Sequence, residues 1–519
     1  MTNETEPPAA AGTEAAPAAD RRAWLGLAVL ALPTLIVAMD MTALLLALPE
    51  LSADLGASGV EQLWIGDGYG LVVAGLVITA GTLGDRIGRR RLLLAGAAGF
   101  LVLSVVAVFS VDPLMLIVVR LLLGVAGATL TPSTLALITS MFRDERQRGK
   151  AISVWATCQF TGGALGPVLA GFLLQHFSWK SVFLIAVPVM AVVIVAGPFV
   201  LPEFRGGGAG RLDPVSVALS LVAVLLMVYG FKQLAIQDEP VVAGAALVVG
   251  AAVGAVFVRR QLRMESPLLD LRLLRNRRVT GVLVGLTLAG CAMAGTGLLV
   301  TQFLQNVLGH SPATAAMLFA PMGLGVAAGT MTAPVYAKRM QPTTAIAGGF
   351  GLSALGALLL VAAHGSGSLP LVMAGITVLA LGTGPLFALG TGLVVGSVPP
   401  ERAGSAASMS ETANYFGGSL GFALLGVLAT VVYRAGTDGT SDSFAGAVAA
   451  SRHLPADQGA ELLRTAREAF TGSLHTIGLV SAALFVGLAV LTLALRPSAP
   501  AVPDAPEALP EPEADAAAL

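Results

Sequence analysis

The apolar residues of this chain come in long unbroken runs, many of about 20 residues, the length at which a helix crosses the hydrocarbon core of a bilayer. A backbone in lipid must satisfy its own hydrogen bonds, and a helix does so within a single segment. Only 12% of the residues are charged, against about 25% in an ordinary soluble domain. The 519 residues would suggest about three soluble domains, but such domains need polar faces that this composition does not supply. The chain therefore reads as an all-α polytopic membrane protein. Charged and Pro/Gly breaks delimit fourteen spans, near 23–48, 62–83, 92–110, 113–141, 149–175, 179–201, 214–236, 240–258, 279–308, 311–336, 342–363, 370–396, 404–433 and 471–495.

Other classes are disfavoured early. Cys158 and Cys291 both lie inside apolar runs, and the five histidines are scattered, so neither a disulfide framework nor a metal cluster is visible. With a net charge of −1, nucleic-acid binding has no electrostatic basis. Residues 1–22 and 496–519 are Ala- and Pro-rich with acids, and read as disordered tails rather than a signal peptide and a further domain.

Lysine and arginine give the orientation. With the N-terminus inside, 23 of the 30 fall in inside segments, while the short outside loops hold only Lys180 and Lys232. Both termini are then cytoplasmic. One long outside loop, 434–470, is mixed in charge and contains an amphipathic stretch near 456–470.

An internal repeat gives the organisation. A shift of 255 residues brings Gly162, Gly163, Leu165 and Gly166 onto Gly417, Gly418, Leu420 and Gly421, with Gly171 on Gly426. The fifth span thus matches the thirteenth, which implies six helices, two extra helices and six more. The expected units are an N-terminal bundle at 23–201, two extra helices with linkers at 202–278, and a C-terminal bundle at 279–495. Duplicated halves of this kind are a known plan for secondary transporters.

At these residues the chain resembles the major facilitator superfamily, in its 14-span drug:proton antiporter branch, and most of all the pumps for quaternary ammonium compounds. The first span carries Met39-Asp40-Met41-Thr42, and the loop from Gly81 to Arg91 reads GTLGDRIGRRR. Span four has Arg120-Leu-Leu-Leu-Gly124, and span five has Gly162-Gly-Ala-Leu-Gly166-Pro167 running on to Gly171. The segment Gln62-Leu-Trp-Ile-Gly-Asp67 is similar to those pumps in particular. Two positions depart from the pattern: Leu123 stands where a glutamine is usual, and Tyr415 where some relatives carry a second acid. The resemblance implies the major facilitator fold, a loop (Gly81, Asp85, Arg86, Gly88, Arg89) that latches the halves, and a bent antiporter helix (Gly162, Gly166, Pro167, Gly171).

The charges inside the spans carry the chemistry. Asp40, Asp67 and Glu411 are the only acids that the span reading places there. An intramembrane carboxylate costs about 2.5–3.5 kcal/mol on insertion scales, which makes function its default reading. Asp40 and Arg120 lie about 13 Å and about 10 Å below the outer ends of their spans, so they can meet. A permanently charged arginine holds a neighbouring aspartate ionised, and competition for that aspartate by protons and cations would couple the two fluxes. Asp67 lies about 6 Å from the outer surface and Glu411 about 10 Å from the inner one. Asp85 is also suited to a neighbouring helix N-terminus, where partial positive charge favours an acid.

Weaker signals complete the reading. Trp155, Tyr229, Phe303, Tyr415 and Phe416 are candidate linings of an aromatic cavity that would attract organic cations. Trp24, Trp64 and Trp179 sit near span ends as interfacial anchors. Gly323, Gly325 and Gly329 read as helix packing rather than a nucleotide loop, since no strand precedes them. The function expected is export of hydrophobic, preferably cationic, drugs in exchange for protons across a bacterial cytoplasmic membrane. No cofactor is expected, the proton gradient supplying the energy, and the partners are drug-like molecules, protons and lipid, with the chain acting as a monomer. The alternatives are an exporter of an endogenous neutral or anionic metabolite, and a transporter-like lipid translocase or sensor.

Overall fold

The computed structural model describes residues 19–57, 59–204, 213–236, 240–264, 271–398, 403–437, 441 and 444–494. Of the two expected tails, only Ala19 to Arg22 fall among these. Helices start where the sequence caps them. Asp20, Asp112 and Asp144 each accept a hydrogen bond from the amide three residues on, at 2.8 Å, opening α1 (Arg21–Leu55), α4 (Pro113–Met141) and α5 (Glu145–His176). Between them run α2 (Gly59–Ile87) and α3 (Arg89–Val108). The sixth span is broken at Ile185 into α6 (Lys180–Leu184) and α7 (Ala186–Val200).

The two extra helices are α8 (Pro214–Ile236) and α9 (Pro240–Arg263). The second half comprises α10 (Arg277–Asn306), α11 (Pro312–Ala337), α12 (Pro342–Val361) and α13 (Leu369–Pro385). It continues through α14 (Thr391–Gly396), α15 (Ala403–Leu420), α16 (Gly426–Gly436), α17 (Phe444–Ser451) and α18 (Ala456–Ala494). Among the described residues, thirteen stretches are long and apolar enough to cross a membrane. The span expected at 404–433 is the remaining one: α15 and α16 joined by a π turn, Gly421–Leu425, with Glu411 and many Ser, Thr and Asn residues lowering its hydropathy. The amphipathic stretch at 456–470 is helical, and α18 carries it straight into the last span. Phe470 meets Phe444 and Tyr433 edge-on at 6.2 and 6.5 Å, which packs the long loop onto the bundle.

The repeat is visible in the packing. A methyl group added at Gly162 would fall on the Leu35 carbonyl of α1, and one at Gly166 would crowd the Met39 carbonyl a turn later. In the second half Gly417 meets the Thr287 carbonyl of α10 and Gly421 that of Cys291, again one turn apart. Small residues let the two backbones touch, as close helix pairing in lipid requires. Where α5 has Pro167, the corresponding Phe422 of the second half lies within the π turn that starts at Gly421, so each half interrupts its helical ladder at the same place. Gly325 and Gly329 face the carbonyls of Thr377 and Leu381 on α13, in keeping with a packing role.

The halves are joined from the arginine-rich end to mid-depth. Thr157 of α5 bonds Thr330 of α11 at 2.8 Å, Ser408 of α15 donates to the Val77 carbonyl of α2 at 3.0 Å, and Ile152 reaches Gly392. The extra helix α8 lies across the second of these seams. Its Leu221 fills the space above Gly75 of α2, and its Phe231 ring packs against Phe416 at 5.8 Å. Asp213, ahead of α8, ties it to α9 by accepting from Arg260 and Ser216, each at 2.6 Å.

Candidate functional site

Asp40 and Arg120 meet in the interior of the first half. Arg120 Nη1 donates to Asp40 Oδ2 at 2.6 Å, with the arginine 1% and the aspartate 11% exposed. Arg120 Nε donates to the Ile65 carbonyl at 3.0 Å, and its guanidinium lies 4.8 Å from the centre of the Tyr69 ring. Three helices thus converge on one charge. Separating such a pair leaves an uncompensated buried ion, a cost of about 3–5 kcal/mol. The Asp67 side chain lies outside the described residues.

Glu411 is built differently. It is buried on α15 and, among the described residues, has no cation beside it; its one described partner is the Gln159 side chain, reached across the seam from α5. Its Oε2 has no hydrogen-bond partner among the described residues. The carboxyl faces a cavity of about 10 Å³, about enough for one water. Trp155, Phe160 and Phe387 form the aromatic wall of that cavity, while Ser410, Asn414 and Thr391 supply polar atoms. Phe160 and Phe387 meet across the two halves with centroids 4.7 Å apart and planes tilted by 56°, and Trp155 is fixed by donating to Thr134 at 3.0 Å. Two tyrosines connect the sites: Tyr415 is within electrostatic reach of Glu411, and Tyr69 within reach of Tyr415, Asp40 and Arg120.

The loop between α2 and α3 holds itself together. Asp85 takes Arg89, one turn on, as a buried ion-pair partner, so the carboxyl expected at a neighbouring helix N-terminus is engaged within its own loop. The Arg89 amide donates to Phe204 O at 3.0 Å and Arg90 to Leu201 O at 3.0 Å, while Glu203 faces Arg90 and Arg91. Gly88 has a φ of +109°, a conformation open mainly to glycine, and lies hard against Glu203. Arg86 is half-buried at the end of α2, and Gly81 is on the same helix. The loop is thus anchored to the end of α7, and α2 reaches the other half one to two turns earlier, at Val77.

A family model described as Major Facilitator Superfamily matches residues 30–422. The chain belongs to the Major Facilitator Superfamily. Among curated members it is 39% identical to the multidrug efflux pump LfrA of Mycolicibacterium smegmatis, over 92% of this chain and 97% of that protein. It is 35% identical to the methyl viologen resistance protein SmvA of Salmonella typhimurium, over 89% and 95% respectively. The crystal structure of the human organic anion transporter MFSD10 (TETRAN) superposes with a TM-score of 0.59, covering 91% of this chain and 99% of that one; at 15% identity it shows the fold alone. Superfamily members are transporters, and this one is a multi-pass membrane protein.

Of the five candidate cavity aromatics, this member of the superfamily places Trp155 on the Glu411 cavity and Tyr415 one turn along from that acid. The others lie elsewhere. Tyr229 is 37% exposed on α8, Phe303 is fully buried near the far end of α10, and Phe416 packs on α8. An aromatic residue fixes no helical phase by itself, which is why sequence placed all five together. Sequence reasoning missed Gln159, Phe160, Phe387 and Tyr69. The first two lie four and five residues after Trp155, just over one turn along a helix already singled out, and could have been found from that spacing. Among the antiporter-motif residues, Gly171 faces Leu46 of α1 in ordinary contact, beyond the tight stretch at Gly162 and Gly166. Trp24 and Trp64 are exposed as anchors should be, whereas Trp179 is buried and donates from Nε1 to Asp54 at 2.8 Å, so it locks α6 to α1.

Proposed function

We propose that the chain exports hydrophobic organic cations across the bacterial cytoplasmic membrane in exchange for protons, as a monomer with both termini cytoplasmic. The observation that carries the reading is the combination of a largely buried, arginine-held Asp40 with a buried acid, Glu411, which has no cation beside it among the described residues and faces aromatic walls. Aromatic faces and a carboxylate are what an organic cation leaving water requires. Relatives named for multidrug efflux and methyl viologen resistance support that substrate class.

In the reading, the arginine-rich end is cytoplasmic and the halves are closed there. The small cavity at Glu411 opens when the seams at Thr157–Thr330 and Val77–Ser408 part, admitting the cation from the inner side. A proton from outside then takes its place at Asp40 or Glu411. One proton exchanged for one monovalent cation moves no net charge, so the pH gradient alone drives it, at about 1.4 kcal/mol per unit.

A second reading, export of a metabolite made by the host, is favoured by a relative named as a tetracenomycin C resistance and export protein, 31% identical over 78% of this chain. Proteoliposomes distinguish the two. A cationic dye that moves protons on addition, with no response to neutral or anionic compounds, supports the first; the reverse pattern supports the second.

A further inference from the structure

Ile65 and Tyr69 stand one turn apart on α2 and both address Arg120, one through its carbonyl and the other through its ring. Tyr69 is fully buried, with Phe100 edge-on to it at 6.3 Å. Its hydroxyl lies in the space left by the missing side chain of Gly127 on α4, and has no hydrogen-bond partner among the described residues. A buried hydroxyl without a partner is a cost, so the hydroxyl is not what places this residue. The ring face is.

Arginine keeps its charge throughout. When a proton adds to the Asp40 carboxylate, Arg120 stays cationic and 1% exposed, and loses the anion it faced. Its remaining described partners are the Ile65 carbonyl and the Tyr69 ring. We propose that Tyr69 is a positioning residue that holds the Arg120 charge while Asp40 is protonated, and so sets the pH at which the ion pair opens. A cation–π contact is strongest where water is excluded, as it is here. The proton comes from water and goes to the carboxylate, and no bond of the guanidinium changes.

Among the described residues the surroundings add few competing charges; the Asp67 side chain, also on α2, lies outside them. Towards this pair α4 brings Arg120, and α2 brings Tyr69; α15 brings Tyr415, through Tyr69. α5 lays Gly162 and Gly166 against α1 and carries the half-buried Cys158 one turn earlier, α7 contains no titratable residue, and α11 has only Tyr336, in its last turn. The inference rests on the antiport reading, because only then does Asp40 gain and lose a proton in the cycle.

The test measures Asp40 without requiring transport. The full chain in membrane vesicles is treated with a carbodiimide, which modifies protonated carboxyls, across a range of pH, and the peptide bearing Asp40 is followed by mass spectrometry. Tyr69→Leu is expected to lower the midpoint by about one pH unit, about tenfold in proton affinity, and Tyr69→Phe to leave it in place. Should Tyr69→Leu fail to accumulate, Tyr69→Met removes the ring with similar reach. A midpoint unmoved by loss of the ring overturns the proposal, as does a shift in Tyr69→Phe as large as that in Tyr69→Leu. Proton-coupled export surviving in Asp40→Asn would instead refute the functional reading, whatever the labelling gives.

Discussion

Gly162 and Gly417, 255 residues apart, each lie against a backbone carbonyl on the first helix of their own half, Leu35 for one and Thr287 for the other. The contact puts α5 on α1 and α15 on α10, and so brings Gln159 and Glu411 to the seam between the halves.

Packing at these positions leaves no room for a methyl group, whereas Gly163 and Gly418 face open space. Gly162→Ala and Gly417→Ala should therefore each destabilise the protein, by about 1–3 kcal/mol, the usual cost of overpacking. Gly163→Ala and Gly418→Ala should not. Thermal unfolding of the purified protein in detergent checks all four.

The pair Asp85–Arg89 makes a different demand. Both residues are buried, so Asp85→Leu alone should destabilise by about 3–5 kcal/mol by leaving Arg89 uncompensated. The double variant Asp85→Leu/Arg89→Met should recover much of that loss. Unfolding midpoints of the single and double variants give the answer.

Asp213 provides a test by pH. The hydrogen bond from the Arg260 side chain, followed by that from Ser216, holds its carboxyl well below the usual carboxylate range. A depressed carboxylate contributes stability above its unfolded pKa of about 3.9 and loses it as the pH falls through its folded value. Asp213→Asn should thus lower the unfolding midpoint by a constant amount from pH 8 to pH 5, with the difference from the parent shrinking only below about pH 4.

Much of this was legible in the sequence, for reasons that also explain the rest. Charges in lipid are rare, so Asp40, Arg120 and Glu411 stood out, and counting residues from span ends placed the first two at one depth before any coordinates did. The 255-residue shift named the glycines that pack. Partners set by helix rotation were not legible, because apolar residues surround the membrane-spanning helices and no amphipathic stripe marks their phase. Hence Tyr229, Phe303 and Phe416 were grouped with a cavity they do not touch, and Phe160 and Phe387 were passed over. Hydropathy also cut α18 at 471, since its first fifteen residues carry five charges although the helix runs through.

Glu411 should decide which substrates are accepted. Glu411→Gln keeps the shape and the contact with Gln159 but removes the charge. Apparent affinity for cationic dyes should fall about ten- to a hundredfold, the scale of one charge-assisted contact, with neutral substrates little affected. Concentration-dependent efflux from intact cells, with membrane levels of the protein matched, measures this.

The central claim is that Asp40 exchanges a proton for cargo. The most direct measurement follows pH inside proteoliposomes as a cationic dye is added, comparing the parent, Asp40→Asn and Asp40→Glu, each confirmed as folded by its unfolding transition. The account predicts dye-driven proton movement in the parent, a weaker signal in Asp40→Glu and none in Asp40→Asn. Proton movement of parental size in folded Asp40→Asn would contradict it.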